Sequence, residues 1–125
     1  MTLDQQYSAL VESLRLVAAP ADLQVCILPD FVSVTDEVST TFGDAFLLLP
    51  QLECAGRVSA RASAAVKELD SWFAGMPTDG SIAPAESLAA HDFWRSAREL
   101  AATALEGLGE DVKPPDLTHI NWVET

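Results

Sequence analysis

Between Phe31 and Gly56 two patterns run along the same residues, one apolar and one acidic. Read as a helix from Val34 to Leu49, the apolar positions are Val34, Val38, Phe42, Ala45, Leu48 and Leu49. Their steps of three and four place them on one face. Ser33 stands at the N-cap position, and Asp36 and Glu37 follow in the first turn, where carboxylates meet the positive end of the helix dipole. Pro50 disfavours helical backbone at Leu49, so the helix is expected to stop or kink there. Asp30, Glu37 and Asp44 are spaced by seven residues, close to two turns. Glu37 and Asp44 are therefore expected to line up away from the apolar stripe, with Asp30 just before the helix. Val32, Val34, Val38, Thr40 and Thr41 are β-branched and Gly43 lies mid-segment, which lowers helix propensity. Strict alternation is missing, however, and helix is the expectation. The other apolar segments then look like helices that cover this one.

The first of them is Thr2–Ala18. Thr2 and Gln5 have the spacing of a capping box. Leu3, Tyr7, Leu10, Val11, Leu14, Val17 and Ala18 form its apolar face, with Asp4 and Glu12 near or on the other side and Pro20 ending it. Residues 21–28 are short enough for a strand, but a lone strand has no partner to satisfy its backbone, so one or two helical turns closed by Pro29 are expected. A further turn is expected over 50–55, stopped by Gly56. Ser59 caps the next helix, Ala60–Ala74, whose face is Ala62, Ala65, Val66, Leu69, Trp72 and Phe73, and Gly75 is expected to end it in the left-handed conformation. Residues 76–83 form a turn-rich connector. The last long helix lies within 84–108, with Asp92 as an internal cap and Gly107 and Gly109 as stops. Residues 110–125 contain Pro114–Pro115 and then Ile120 and Trp122, which predicts an extended C-terminal tail docking on the body. These elements predict an all-α single domain over 1–125, an irregular bundle of four to six helices.

Function classes are bounded mainly by charge. The chain of 125 residues carries a formal net charge of −12, which argues against binding a nucleic-acid backbone or an anionic membrane surface, since both need clustered Lys and Arg. The same charge permits a basic protein partner. No membrane span is expected, because the apolar run from Leu14 to Leu28 is broken by Arg15, Pro20, Asp22 and Gln24. The start Met-Thr-Leu-Asp has no basic n-region. Cys26 and Cys54, in apolar surroundings, are expected to be buried and reduced, and a cytoplasmic location follows.

Reactive motifs are missing. His91 and His119 belong to no metal-ligand spacing. The cysteines have no electropositive flank to activate them. There is neither a GxSxG elbow nor a Gly-rich phosphate loop. Glu-x-x-His and EF-hand patterns are absent, so no metal or cofactor is expected. Arg57 with Arg61, and Arg95 with Arg98, are expected to answer the acidic helix across the bundle. The carboxylates that remain, Asp30, Asp36, Glu37 and Asp44, are the expected contact residues for a protein partner.

In size and charge the chain is similar to small acidic bacterial immunity proteins and antitoxins, which neutralise basic toxin enzymes. That resemblance implies a non-enzymatic inhibitor of a basic partner. Two other functions suit the same sequence. One is a self-associating structural domain, a homodimer built on Trp94 or Trp122. The other is a small-molecule sensor or enzyme with a pocket between the helices, which requires a deep cleft with inward polar groups.

Overall fold

A computed structural model describes residues 1–118. Ile120 and Trp122, on which the expectation of a docking tail rests, lie outside the described residues, as does His119. Among the described residues every regular element is helical: α1 (Leu3–Ala18), α2 (Ala21–Ile27), α3 (Val34–Phe46), α4 (Leu49–Cys54), α5 (Ala60–Ala74), α6 (Ser87–Ala90) and α7 (Asp92–Leu108). The segment α6 is a single turn that leads into α7. The other six helices form the irregular all-α bundle that the periodicity predicts.

The element at the centre is α1, not α3. Every residue from Ala9 to Val17 is buried, although the segment includes Glu12, Ser13 and Arg15. A helix buried all round needs cover on several sides, and α1 packs against α3, α4 and α7. Its N-terminus is held by the expected capping box: Gln5 N donates to Thr2 Oγ1 at 3.1 Å and Thr2 N to Gln5 Oε1 at 2.8 Å. At its other end the buried Gln24 of α2 donates from Nε2 to the Leu16 and Val17 carbonyls, at 2.9 and 3.3 Å. Ala19 N also donates to the Leu16 carbonyl, at 3.3 Å, so Gln24 adds a second donor to the carbonyls at the end of the helix.

Glu12 departs most from expectation, since its carboxylate is buried rather than solvated. Arg15, one turn on, explains it: its Nη1 lies 2.7 Å from Glu12 Oε1. The same guanidinium donates to Glu110 Oε1 at 3.2 Å and, from Nε, to the Asp111 carbonyl at 3.0 Å. Asp116 N donates to Glu12 Oε2 at 3.3 Å, Tyr7 Oη to Glu110 Oε2 at 2.9 Å, and Leu117 packs against the core. Residues 110–118 thus run along α1, held by a charged seam and one leucine.

The core beside α1 is an aromatic cluster. Phe73 of α5 lies 5.7 Å from Phe42 of α3 and 5.8 Å from Phe93 of α7, measured between ring centroids. Trp94 meets Phe93 edge-on at 5.0 Å. Its indole N–H is satisfied by Ser87 Oγ at 3.1 Å and the Ile82 carbonyl at 3.3 Å, as a buried tryptophan requires. The connector 76–83 is correspondingly pinned: Ile82 is buried, and Thr35 Oγ1 donates to the Ala83 carbonyl at 2.7 Å.

Helix ends confirm some expected caps and move others. Ser59 Oγ accepts from Ala62 N, as expected, whereas Ser33 makes no such bond. His91 replaces Asp92 as the cap of α7, its Nδ1 accepting from Phe93 N at 3.0 Å. Gly75 has φ −94° and needs no left-handed backbone, while Gly56 and Gly109 do, at φ 71° and 74°. Gly107 is not a stop. A Cβ there would stand 3.2 Å from Ala62 Cα, so it allows α7 to approach α5 closely. Pro50 does not end α3 either. It occupies the first turn of α4, where its missing N–H costs nothing, and the chain bends one residue pair earlier, at Leu47–Leu48.

Two outcomes are expected for the seam. Arg15→Met leaves Glu12 buried without its cation and lowers stability by about 3–5 kcal/mol in urea denaturation. Adding Glu12→Leu recovers much of that loss, because no uncompensated charge remains. Separately, Tyr7 is the chain's single tyrosine, and its burial, reinforced by the Glu110 carboxylate, pushes its pKa up to about 12. Absorbance titration therefore reads this group alone, with a midpoint near 12 that falls toward 10 in Glu110→Gln. A raised pKa means that the phenol's contribution to stability is full below pH 10 and is lost as pH rises toward 12.

Candidate functional site

The four carboxylates expected to contact a partner do not line one groove. Glu37 and Asp44 do come together. With Thr40, Thr41 and Leu48 of the α3 face and its exit, they line a groove of about 290 Å³ whose other wall includes Met1 and Ala9, with Ala45 also contributing. Asp36 lies on the opposite flank of α3, at a second cleft of about 200 Å³ lined by Thr35, Ser39, Met76, Pro77 and Ile82 among others. Asp30 is exposed in the turn before α3 and borders neither cleft.

The turn of about 100° per residue explains why Asp36 and Glu37 fall on different flanks of α3. Its buried stripe is Thr35, Val38, Phe42 and Ala45, so the helix is turned slightly from the expected Val34–Val38 line. Glu37 becomes half-buried at the groove edge, Asp36 faces away, and Asp44 is exposed one side of the stripe. The residues 37, 41, 44 and 48 then follow one another at steps of four, three and four along the groove. Leu48 packs against the core, as its place on the apolar face predicts, and also lines the groove. Leu47, immediately before it, is 74% exposed. The groove wall from α1 was not visible, because it depends on how α1 and α3 cross.

The arginines do not answer this acidic edge. Arg57 pairs with Asp4 of α1 at 2.7 Å and lies over the Tyr7 ring, Arg61 approaches Glu106 of α7 at 3.7 Å, and Arg95 pairs with Asp92 at 2.8 Å. Arg98 donates to the Leu88 carbonyl at 2.6 Å, and partial burial lowers its pKa. Among the described residues no ion pair within 4 Å involves Asp30, Asp36, Glu37 or Asp44. By contrast, Glu53 of α4 accepts from the Ser63 hydroxyl and lies 3.2 Å from Lys67 of α5. Those two interactions, the hydroxyl first, hold its carboxyl below the usual range. This braces two helices rather than activating a serine, since no histidine takes part.

Other expected roles change with burial. Cys26 and Cys54 are both exposed free thiols, not core residues. The short helices α2 and α4 each use one side only, and both cysteines fall on the other. Trp94 is 2% exposed and so is unavailable to a homodimer contact. His91, assigned no role from sequence, serves the α7 N-terminus. Among the described residues no three His, Cys, Asp or Glu side chains gather to hold a metal ion, and no helix is long and apolar enough to cross a membrane.

Neither a family model, nor a curated protein, nor a solved structure matches this chain. The groove beside α3 is therefore judged on its own chemistry. It joins an apolar wall to two carboxylates and two threonine hydroxyls.

Exposure of both thiols gives a direct check: an aromatic disulfide reagent titrates two thiols per chain in native buffer, without the lag that opening of a core requires. Titration of two thiols only after denaturant is added contradicts this placement.

Proposed function

We propose that this protein is a non-enzymatic binding domain that presents the acidic side of α3 to a basic protein partner, in the manner of an immunity protein or antitoxin. The observation that supports this reading is the pairing of Glu37 and Asp44 along an apolar groove with no cation in ion-pair range among the described residues. Six of the seven Lys and Arg side chains are engaged elsewhere: five in ion pairs and Arg98 on a carbonyl. An acidic edge left unpaired in this way suits a cationic partner. Its charge speeds encounter and selects among partners, while the apolar residues beside it supply affinity. Asp36 and Asp30 extend the negative field around α3 without entering the groove.

Affinity capture from native lysate, followed by mass spectrometry, tests this. The wild type is expected to retain a protein of basic composition, and capture is expected to weaken as salt is raised. The Glu37→Lys/Asp44→Lys variant is expected to lose it. Equal recovery by wild type and variant removes the proposal.

A further inference from the structure

We propose that the α1–α3 groove receives an amphipathic helix of the partner, with one large apolar side chain seated in the groove and a Lys or Arg about two turns apart on either side of it. This inference rests on the acidic-face reading and specifies what the face recognises.

Three observations converge on this occupant. Among the described residues the chain has no strand, so it offers no sheet edge to which an extended peptide can add by backbone pairing. Helix-in-groove docking suits a chain built of packed helices, whose crossings form grooves. Next, the two carboxylates stand seven positions apart on one helix, about 10 Å along its axis at the usual rise. A helix lying alongside α3 repeats its own side chains at that same interval, so residues seven apart on it face Glu37 and Asp44 together. Between those carboxylates lie Thr40 and Thr41, and Ala9 and Ala45 form part of the groove wall. Such short side chains leave room for an incoming one. A volume of about 290 Å³ suits one or two apolar side chains rather than a whole helix. The occupant must therefore rest on the rim and insert an anchor. Finally, Leu47, next in sequence to the groove-lining Leu48, is an exposed apolar side chain, which a partner whose apolar stripe extends past its anchor can cover.

The charge complement decides the partner's sign. A second copy of this chain is disfavoured, since it brings the same excess of carboxylates to the contact at −12 per chain. A helix with acidic flanks meets the same repulsion. A basic helix replaces it with two cross-interface pairs whose acidic halves need no internal partner to be broken first.

The test is selection of a displayed random-peptide library on the intact wild-type protein, with the enriched peptides then synthesised. Their affinities are measured for wild type, Glu37→Lys/Asp44→Lys and Thr40→Trp; the last places a bulky ring over the groove from an exposed position. Thr41→Trp is the second blocking variant, and circular dichroism establishes that each variant is folded. Enriched peptides are expected to carry Lys or Arg seven apart around a large apolar residue and to become helical on binding. They are expected to weaken on the order of tenfold or more with either the charge-reversed or a groove-blocked protein. Basic peptides that respond to charge reversal but not to either tryptophan, or that bind without helical spacing, overturn the helix-in-groove inference and leave the acidic-face reading standing. Peptides indifferent to Glu37→Lys/Asp44→Lys overturn both. Failure to enrich any peptide also overturns the inference.

Discussion

The burial of α1 is the constraint on which the remainder of this structure depends. Nine consecutive residues, Ala9–Val17, are out of solvent, and among them are a carboxylate and a guanidinium. A single apolar stripe cannot account for that, because a helix with one stripe leaves its other side wet. The apolar side is covered by α3, α4 and α7. Residues 110–118 run along the Glu12–Arg15 side. The ion pair is what makes the second cover possible: each charge would be costly to bury alone, and together they still need further partners. Those come from Glu110, the Asp111 carbonyl and the Asp116 N–H. The chain end is thus bound through polar groups on α1 as much as through the apolar Leu117.

With α1 in the middle, α3 becomes a peripheral helix. Only Thr35, Val38, Phe42 and Ala45 on it are buried, and both flanks of that narrow stripe are left open. Glu37 and Asp44 fall on one flank and Asp36 on the other. The groove is a direct product of the crossing, since small side chains, Ala9 on α1 and Ala45 on α3, stand where larger ones would fill the space. What distinguishes the face is therefore geometric as well as electrostatic: it is an edge of the bundle at which packing is incomplete.

Much of the fold was legible because its signals are local. The 3.6-residue spacing in α1, α5 and α7, the Thr2–Gln5 capping box and the Ser59 cap each depend on residues within a turn of one another. The errors arose where a residue's role depends on a distant part of the chain. Glu12 looked like a solvated residue because its cover comes from positions about a hundred residues later. Gly107 looked like a helix stop because Ala62, the atom it makes room for, lies on another helix. Cys26 and Cys54 looked buried because their neighbours in sequence are apolar, yet α2 and α4 each press only one side on the core. At the site, the carboxylate spacing was readable. The two clefts were not, because their far walls come from Met1 and Ala9 on one flank and from Met76, Pro77 and Ile82 on the other.

The placement of the cations carries this one step further. Each of the five arginines is held by a local or structural contact: Arg15 in the α1 seam, Arg57 on Asp4 and the Tyr7 ring, Arg61 toward α7, Arg95 on Asp92 and Arg98 on the Leu88 carbonyl. The exposed pairs among these contribute about 1 kcal/mol or less each, so they do not require so acidic a composition for stability. A net charge of −12 in fact adds repulsion within the folded chain. That repulsion is tolerable around α3, where the carboxylates are at the surface and screened by salt. It becomes favourable only when a cation arrives from outside. An acidic surface that makes no ion pair among the described residues and borders an apolar groove is the feature on which the proposal of a basic partner rests.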